Sequence, residues 1–584
     1  MQTLSVSKTY NIKTEYPHRA IVWLIGGLTL LTAVMVALPS TAQDVATIGL
    51  LLGLSGCLLR FPHLALPLAL AYLPLGVRLN VAGESLSLLL SFWLFDLICL
   101  QNLVWLFRHS DWHWLKLRPS VGLFLALFTI ALVISSLFSI NLGLSLRKLY
   151  DLGQYLAVFV AIVSTYRRYP KLSLPLLLEA LLLSSAGTAL LGTLEFYSQF
   201  AWASPYLARD YYLPHTAALF EGTRSYNLLK DGLDNWILIN GPLRAFGSLL
   251  TPAGLGQYLL LGVVILVIYV PLRQWRPHSH LPRLNWLLVW LTAELLFLAI
   301  FFTYARASWF VAAAILLTAG ILWLRYRAVL RWPTRSKAIL GMVVLLLPLG
   351  LNLLVFSLYH YKFTPATPAA FVTTSQSFQT GLLVPFQVSP PLSQTVTPTP
   401  APPEIKDNPN FAQNQQQPLV RLLEIFNLQD HSTQDRFAAW KYGFRAFPDH
   451  PLFGRGPGTF GLGGLTRENI FAKPGEITPA IEQASIQAHN MYLNFLVENG
   501  IVGLACYLSL LGYTLFRLLL LRPTTMVALA TKLILIIWLI AFSWDEFFDN
   551  LFLYTKNGAL LFVALGLAAI LTAPPRPSDK NLAQ

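Results

Sequence analysis

Long apolar runs separated by short, Arg- and Lys-bearing stretches recur from residue 21 to residue 572. A run of about 20 apolar residues crosses a hydrocarbon core of roughly 30 Å as a helix. The pattern predicts spans near 21–39, 47–60, 63–80, 84–107, 119–139, 147–165 and 172–197. After a polar interval it predicts 248–270, 285–303, 309–326 and 337–359, and after a longer one 490–516, 525–544 and 550–572. The short second run makes the count about 12–14. Ser40-Thr41-Ala42 faintly resembles a signal-peptidase site, but with so many spans following, the first helix is read as retained.

The polar intervals divide the chain. Residues 1–197 form N-terminal transmembrane helices, 198–247 a small outer loop, and 248–359 central helices with an Arg-bearing outer turn. Residues 360–489 form a large outer loop, 490–572 the C-terminal helices, and 573–584 a tail. Within the large loop, 360–418 is rich in Pro, Thr, Ser and Gln, has little to bury, and reads as a flexible tether. The pattern then turns helical over 419–489. Asp435 to Ala446 puts Phe437, Trp440 and Phe444 on one helical face, and Asp449-His450-Pro451 should end that helix.

Composition sharpens this picture. The 584 residues are 55% hydrophobic and only 12% charged. A soluble domain carries about 25% charged residues, so the chain reads as all-α and polytopic in a membrane. The net charge of +14 is spread over short loops, among them Arg108/Lys116/Arg118, Arg167/Arg168/Lys171, Arg327/Arg331/Arg335 and Arg517/Arg522. That spacing argues for membrane orientation rather than nucleic-acid binding. By the positive-inside rule these loops and both termini are cytoplasmic. The loop 360–488 balances nine Lys/Arg against nine Asp/Glu and lies outside. Cys57, Cys99 and Cys506 fall within apolar runs and read as packing residues; no Cys/His spacing suggests a metal site.

On this topology four groups converge on the outer face: Arg244, Arg306, Arg436 and His489. Arg244 alone reads equally well as a side chain snorkelling to headgroups. Arg306 sits in a very short turn between apolar helices, where a charge is costly and usually functional. Arg436 alone suits a solvated face, and His489 alone suits a helix start with Asn490 as its cap. As a set, arginine forks fit pyrophosphate oxygens without a metal, and an imidazole can take a hydroxyl proton near pH 7. The glycine-rich segment Gly454 to Gly461 lacks a preceding strand and reads as a turn-rich connector, not a nucleotide loop. Asp545, Glu546 and Asp549 form an acidic outer turn that could bind a cation but more simply marks an interface.

These residues carry a resemblance. His489-Asn490-x-Tyr492-Leu493 followed by Glu498-Asn499-Gly500-Ile501-x-Gly503-Leu504 resembles the signature of the O-antigen ligase and Wzy-type polymerase family. Arg436-x-x-x-Trp440 with His450-Pro451-Leu452-x-Gly454-x-Gly456-x-Gly458-x-Phe460 is similar to that family's outer loop. Ala305-Arg306-Ala307-Ser308-Trp309 resembles its Ser-Arg-Gly-x-Trp turn, and Arg244-x-x-Gly247 with Thr251-Pro252 its Arg-x-x-Gly…Asn-Pro-Asn segment. Ala305 and Ala307 depart from the usual Ser and Gly, and Thr251-Pro252-Ala253 from Asn-Pro-Asn.

The resemblance implies a GT-C-like glycosyltransferase of the plasma (inner) membrane, with the large loop periplasmic. The donor would be an undecaprenyl-pyrophosphate-linked glycan and the acceptor lipid A-core or another glycan, with membrane lipids around it. His489 would be the base and Arg244, Arg306 and Arg436 the pyrophosphate clamp. Asn490, Tyr492 and Trp440 would support them, with no cofactor and no metal, and the anomeric carbon would be inverted. The rival reading is a solute or ion (bicarbonate-like) transporter that uses Asp96 and Glu294 as a relay. Against it, the polar residues gather at the outer face rather than the midplane.

Overall fold

The computed structural model describes residues 40–74, 78–81, 84–109, 120–169, 174–198, 228–230, 236–238, 252–274, 286–303, 305–326, 431–461, 488–523, 525–550, 552 and 555–573, with the single positions 27, 31, 245 and 249. The expected span 337–359, the tether 360–418, most of the small loop 198–247, and Arg244 lie outside them.

Among the described residues the apolar runs form helices. In chain order come α1 (Ser40–Arg60), α2 (Pro62–Tyr72), α3 (Leu90–His109), α4 (Val121–Leu137), α5 (Leu142–Arg168) and α6 (Leu174–Ser198). Next are α7 (Pro252–Gln274), α8 (Trp286–Phe302), α9 (Arg306–Tyr326), and α10 (His431–Ala446) in the loop region. Last are α11 (Met491–Leu520), α12 (Met526–Asp545) and α13 (Thr555–Thr572). Five of the described helices are both long and apolar enough to cross a membrane. Several shorter ones, including α4, α8 and α9, are equally apolar. The chain is an all-α polytopic membrane protein.

Two hairpins interrupt the helices: β1 (Arg78–Val81) with β2 (Glu84–Leu89), and β3 (Leu228–Lys230) with β4 (Trp236–Leu238), both antiparallel. The first corrects the expected spans 63–80 and 84–107. Helix α2 stops at Tyr72, and α3 begins only at Leu90. The reason is legible in Glu84-Ser85-Leu86-Ser87-Leu88-Leu89, where polar and apolar residues alternate with the period of a strand.

Helix α7 is apolar on every side and is accordingly enclosed, packed by α6, α8, α9 and α12. A Cβ at Gly262 would run into Ser185 of α6, so the glycine sets how closely these two helices approach. Helix α11 packs along α4, and α13 along α5. The aromatic residues Phe128, Phe495, Tyr507 and Phe552 meet between them with ring centroids 4.5–6.0 Å apart.

Helix α11 is broken. Gly500 has φ +65° and ψ −170°, values no helix contains. In a membrane the freed backbone groups need partners, and the glycine-rich segment provides them. Arg455 N donates to Val497 O (3.0 Å), and Gly456 N to Glu498 O (2.8 Å). Ile501 N donates to Pro451 O (2.9 Å), and Val502 N to Leu452 O (3.2 Å). Gly454 (φ +71°) passes so near the break that a Cβ there would strike the Glu498 and Asn499 backbone. From α4, Ser135 Oγ donates to Glu498 O (3.0 Å). The segment is made of turns, as expected from sequence, but its role is to plug the break.

Candidate active site

The plug and the break place the start of α11 at one end of the bundle. Asn490 caps that helix, its Oδ1 accepting from Leu493 N (3.0 Å). Immediately before it, His489 has φ +47°, the one non-glycine positive φ among the described residues. Such a conformation is costly for a side-chain-bearing residue and persists only where neighbours fix it. They do so on both sides. Trp440 Nε1 donates to Ala488 O (2.9 Å), and Met491 N donates to Glu546 O (2.8 Å). Three residues after His489, Tyr492 Oη donates to Ser543 O (2.6 Å).

The held imidazole faces a carboxylate. His489 Nδ1 lies 3.4 Å from Asp549 Oδ1, with the histidine side chain 41% exposed and the aspartate 14%. Asp549 also accepts from Asn550 N (2.8 Å). Burial alone would raise the Asp549 carboxyl. The His489 hydrogen bond, the charges of His489 and Arg436, and the Asn550 amide outweigh it and hold the group below the usual carboxylate range. Asp549 is therefore ionised at neutral pH, and its acceptor oxygen orients the His489 ring with Nε2 left free.

Arg436 comes to this pair from α10, near enough for its charge to act on both Asp545 and Asp549. The packed face of α10 differs from the one expected. Ala439, Trp440, Gly443 and Ala446 turn toward α11, and Gly443 packs on Leu493. Phe437 and Phe444 are 47% and 62% exposed. Small residues win the interface because a helix this close to α11 leaves no room for a phenyl ring. The helix passes into a 3-10 turn at Phe447–Asp449, close to the expected stop.

Arg306 opens α9 at the same end of the bundle. Its helix is fixed by Trp309, whose Nε1 donates to Ile300 O (2.9 Å) and whose ring stacks on Phe301 at 5.0 Å. Phe310 stacks on Trp544 at 6.4 Å, which joins this helix end to the end of α12. Ala245, the residue after Arg244, donates its N to Phe302 O (2.9 Å), one turn before Arg306. Arg244 itself lies outside the described residues. The structure thus gathers His489, Arg436, Trp440, Asn490 and Tyr492 around one junction, with Arg306 on the neighbouring helix end.

Sequence reasoning gave too little weight to the acidic turn. Two of its carboxylates have protein partners. Asp549 holds His489, while Glu546 is wholly buried and accepts from Tyr507 Oη through Oε2 (2.6 Å). The available signal was an Asp and a Glu at the end of a strongly apolar helix, where carboxylates are expensive unless paired. The rival relay finds less support. Asp96 bonds Gln154 of α5, and Glu294 sits on α8 against α6, in a different helix pair.

Residues 287–508 match the family described as O-antigen ligase. The stretch contains Arg306, Arg436, His489 and the Glu498-Asn499-Gly500 break, whereas Arg244 and Asp549 lie beyond it. Over that stretch the chain is similar to the O-antigen ligase family. No curated protein matches it. The match to a glycosyl-transferring family over that stretch, set among apolar helices, points to chemistry at a membrane.

Proposed function

We propose that this protein is a metal-independent, inverting glycosyltransferase. It transfers or polymerises undecaprenyl-pyrophosphate-linked glycan at the periplasmic face, onto lipid A-core or a growing glycan. The acceptor hydroxyl attacks the anomeric carbon from the face opposite the pyrophosphate. The new C–O bond forms as the anomeric carbon–phosphate oxygen bond breaks, and the pyrophosphate leaves with the bonding pair. The hydroxyl proton passes to His489 Nε2. Asp549, accepting from Nδ1, selects the tautomer that leaves Nε2 basic and stabilises the imidazolium that forms.

Arg306, Arg436 and Arg244 offset the negative charge that accumulates on the leaving pyrophosphate, through forks matched to its oxygens. The cytoplasmic termini read from loop charge belong to the same proposal, since they put the His489 end outside. The observation that carries this reading is the His489–Asp549 pair at a strained, doubly braced junction, with His489 inside the stretch that matches the ligase family. The test is transfer by purified protein from a lipid-pyrophosphate glycan to a candidate acceptor with EDTA present, wild type against His489→Ala. Transfer by the wild type alone is expected. Transfer retained by His489→Ala, or transfer abolished by EDTA, would sink the mechanism.

A further inference from the structure

The acidic turn after α12 does more than deliver Asp549. Glu546 is wholly buried one helical turn before it, and makes contacts with both halves of the broken helix α11. Its backbone carbonyl accepts from Met491 N (2.8 Å), two residues past His489 and ahead of the break at Gly500. Its carboxyl accepts from Tyr507 Oη (2.6 Å), beyond the break. Tyr507 is itself fixed, stacked on Phe495 at 4.5 Å, so the carboxyl is tied to a rigid point. The glycine-rich segment ties the two halves at the break itself, and Glu546 adds a second tie farther along each half.

We propose that Glu546 is a positioning residue: it braces both halves of α11 so that His489 is held in its left-handed conformation against Asp549. This rests on the reading of His489 as the base.

The brace depends on charge. Burial pushes the Glu546 carboxyl up to about 8, with the Asp545 charge adding to it and the Tyr507 hydroxyl and Phe552 amide opposing it. The groups facing it are Tyr507 and Tyr492 from α11 and Asp545 from α12, with Arg436 of α10 and Asp549 acting on Asp545. At neutral pH Glu546 is mostly protonated. As the pH climbs from the ordinary carboxylate range to about 8, any opening that lets Glu546 ionise becomes easier, and the brace loosens across that window.

The test uses full-length protein in nanodiscs and two readouts. The first is backbone amide exchange of the segment around 488–493, corrected for intrinsic rate, which needs no activity. The second is glycan transfer with kcat and KM separated. Glu546→Ala is expected to lose about tenfold of exchange protection and about tenfold in kcat, with KM for the donor little changed. Tyr507→Phe, which removes only the hydroxyl, should do the same to a lesser degree. Glu546→Gln keeps shape and neutrality, so it should match wild type near pH 5. Near pH 9 it should stay protected while wild type loosens.

Unchanged protection in Glu546→Ala, or the same alkaline loosening in Glu546→Gln as in wild type, would overturn the brace. If exchange changes as expected but the wild type transfers nothing, the functional reading fails and the brace stands. If wild type transfers and exchange is indifferent to Glu546, the reverse holds.

Discussion

The two ends of this bundle bury polar groups in different ways. At one end, Asn102 of α3 donates to Ser164 Oγ and Thr165 Oγ1 of α5, each at 2.9 Å, and accepts from Arg168 Nη1 at 3.2 Å. Arg517 donates to Tyr513 Oη (2.9 Å) and Thr572 O (3.0 Å), and Lys532 to Leu519 O and Leu521 O. These donors are matched to acceptors and the backbone there is ordinary. At the other end a histidine stands in left-handed conformation, a helix is broken, and carboxylates lie close together. Ser308 Oγ and Gln257 Nε2 are buried nearby without a hydrogen bond. A satisfied polar network staples helices, while a strained and under-satisfied one is kept for chemistry.

This contrast can be broken, and the largest effect should fall on the base. His489→Ala should reduce transfer by about 10³-fold or more while the protein still folds and inserts, measured as transfer per purified molecule. Asp549→Asn should follow at about 10²-fold in kcat. It should also move the acidic limb of the pH–rate profile to lower pH, because the carboxylate that stabilises the imidazolium is gone. The folded carboxyl of Asp549 sits below its ordinary range, so its help to His489 is present at neutral pH and fades only in acid. A pH profile identical to wild type would remove Asp549 from the mechanism.

Arg306→Lys keeps the charge but loses the fork, and should cost about tenfold in kcat/KM for the donor. Gly500→Ala belongs to the same end but acts on structure. A Cβ there meets the Leu452 and Phe453 backbone at a positive φ, so a loss of about 2–3 kcal/mol in stability is expected, read as a lower thermal midpoint in detergent. The smallest effect belongs to the opposite end. Asn102→Ala should cost about 1–3 kcal/mol in stability and leave transfer unchanged. If it lowered kcat as far as Arg306→Lys, the division between the two ends would be wrong.

Much of this was legible beforehand. The apolar runs announced most helices, and Asn490 was readable as a cap because its side chain satisfies an orphan amide at the helix start. What misled was the averaging of a long apolar window, which ran across the Ser/Leu alternation at 84–89 and hid a strand. The face of α10 was misread for a related reason. Periodicity selects large apolar residues, whereas close helix packing selected Ala439, Gly443 and Ala446.

By itself, the sequence determined that this chain lives in a membrane, that His489 opens a helix after a long polar excursion, and that Arg306 and Arg436 are candidates to join it. Those properties follow from local composition and spacing, because transfer into lipid and helix capping act over one span or one turn. Only the tertiary structure decided that the glycine segment plugs the break at Gly500, and that Asp549, some sixty residues away, is the partner of His489. Backbone groups freed within a membrane must be paired by whatever segment the fold brings beside them. No local pattern in the chain encodes which segment that is.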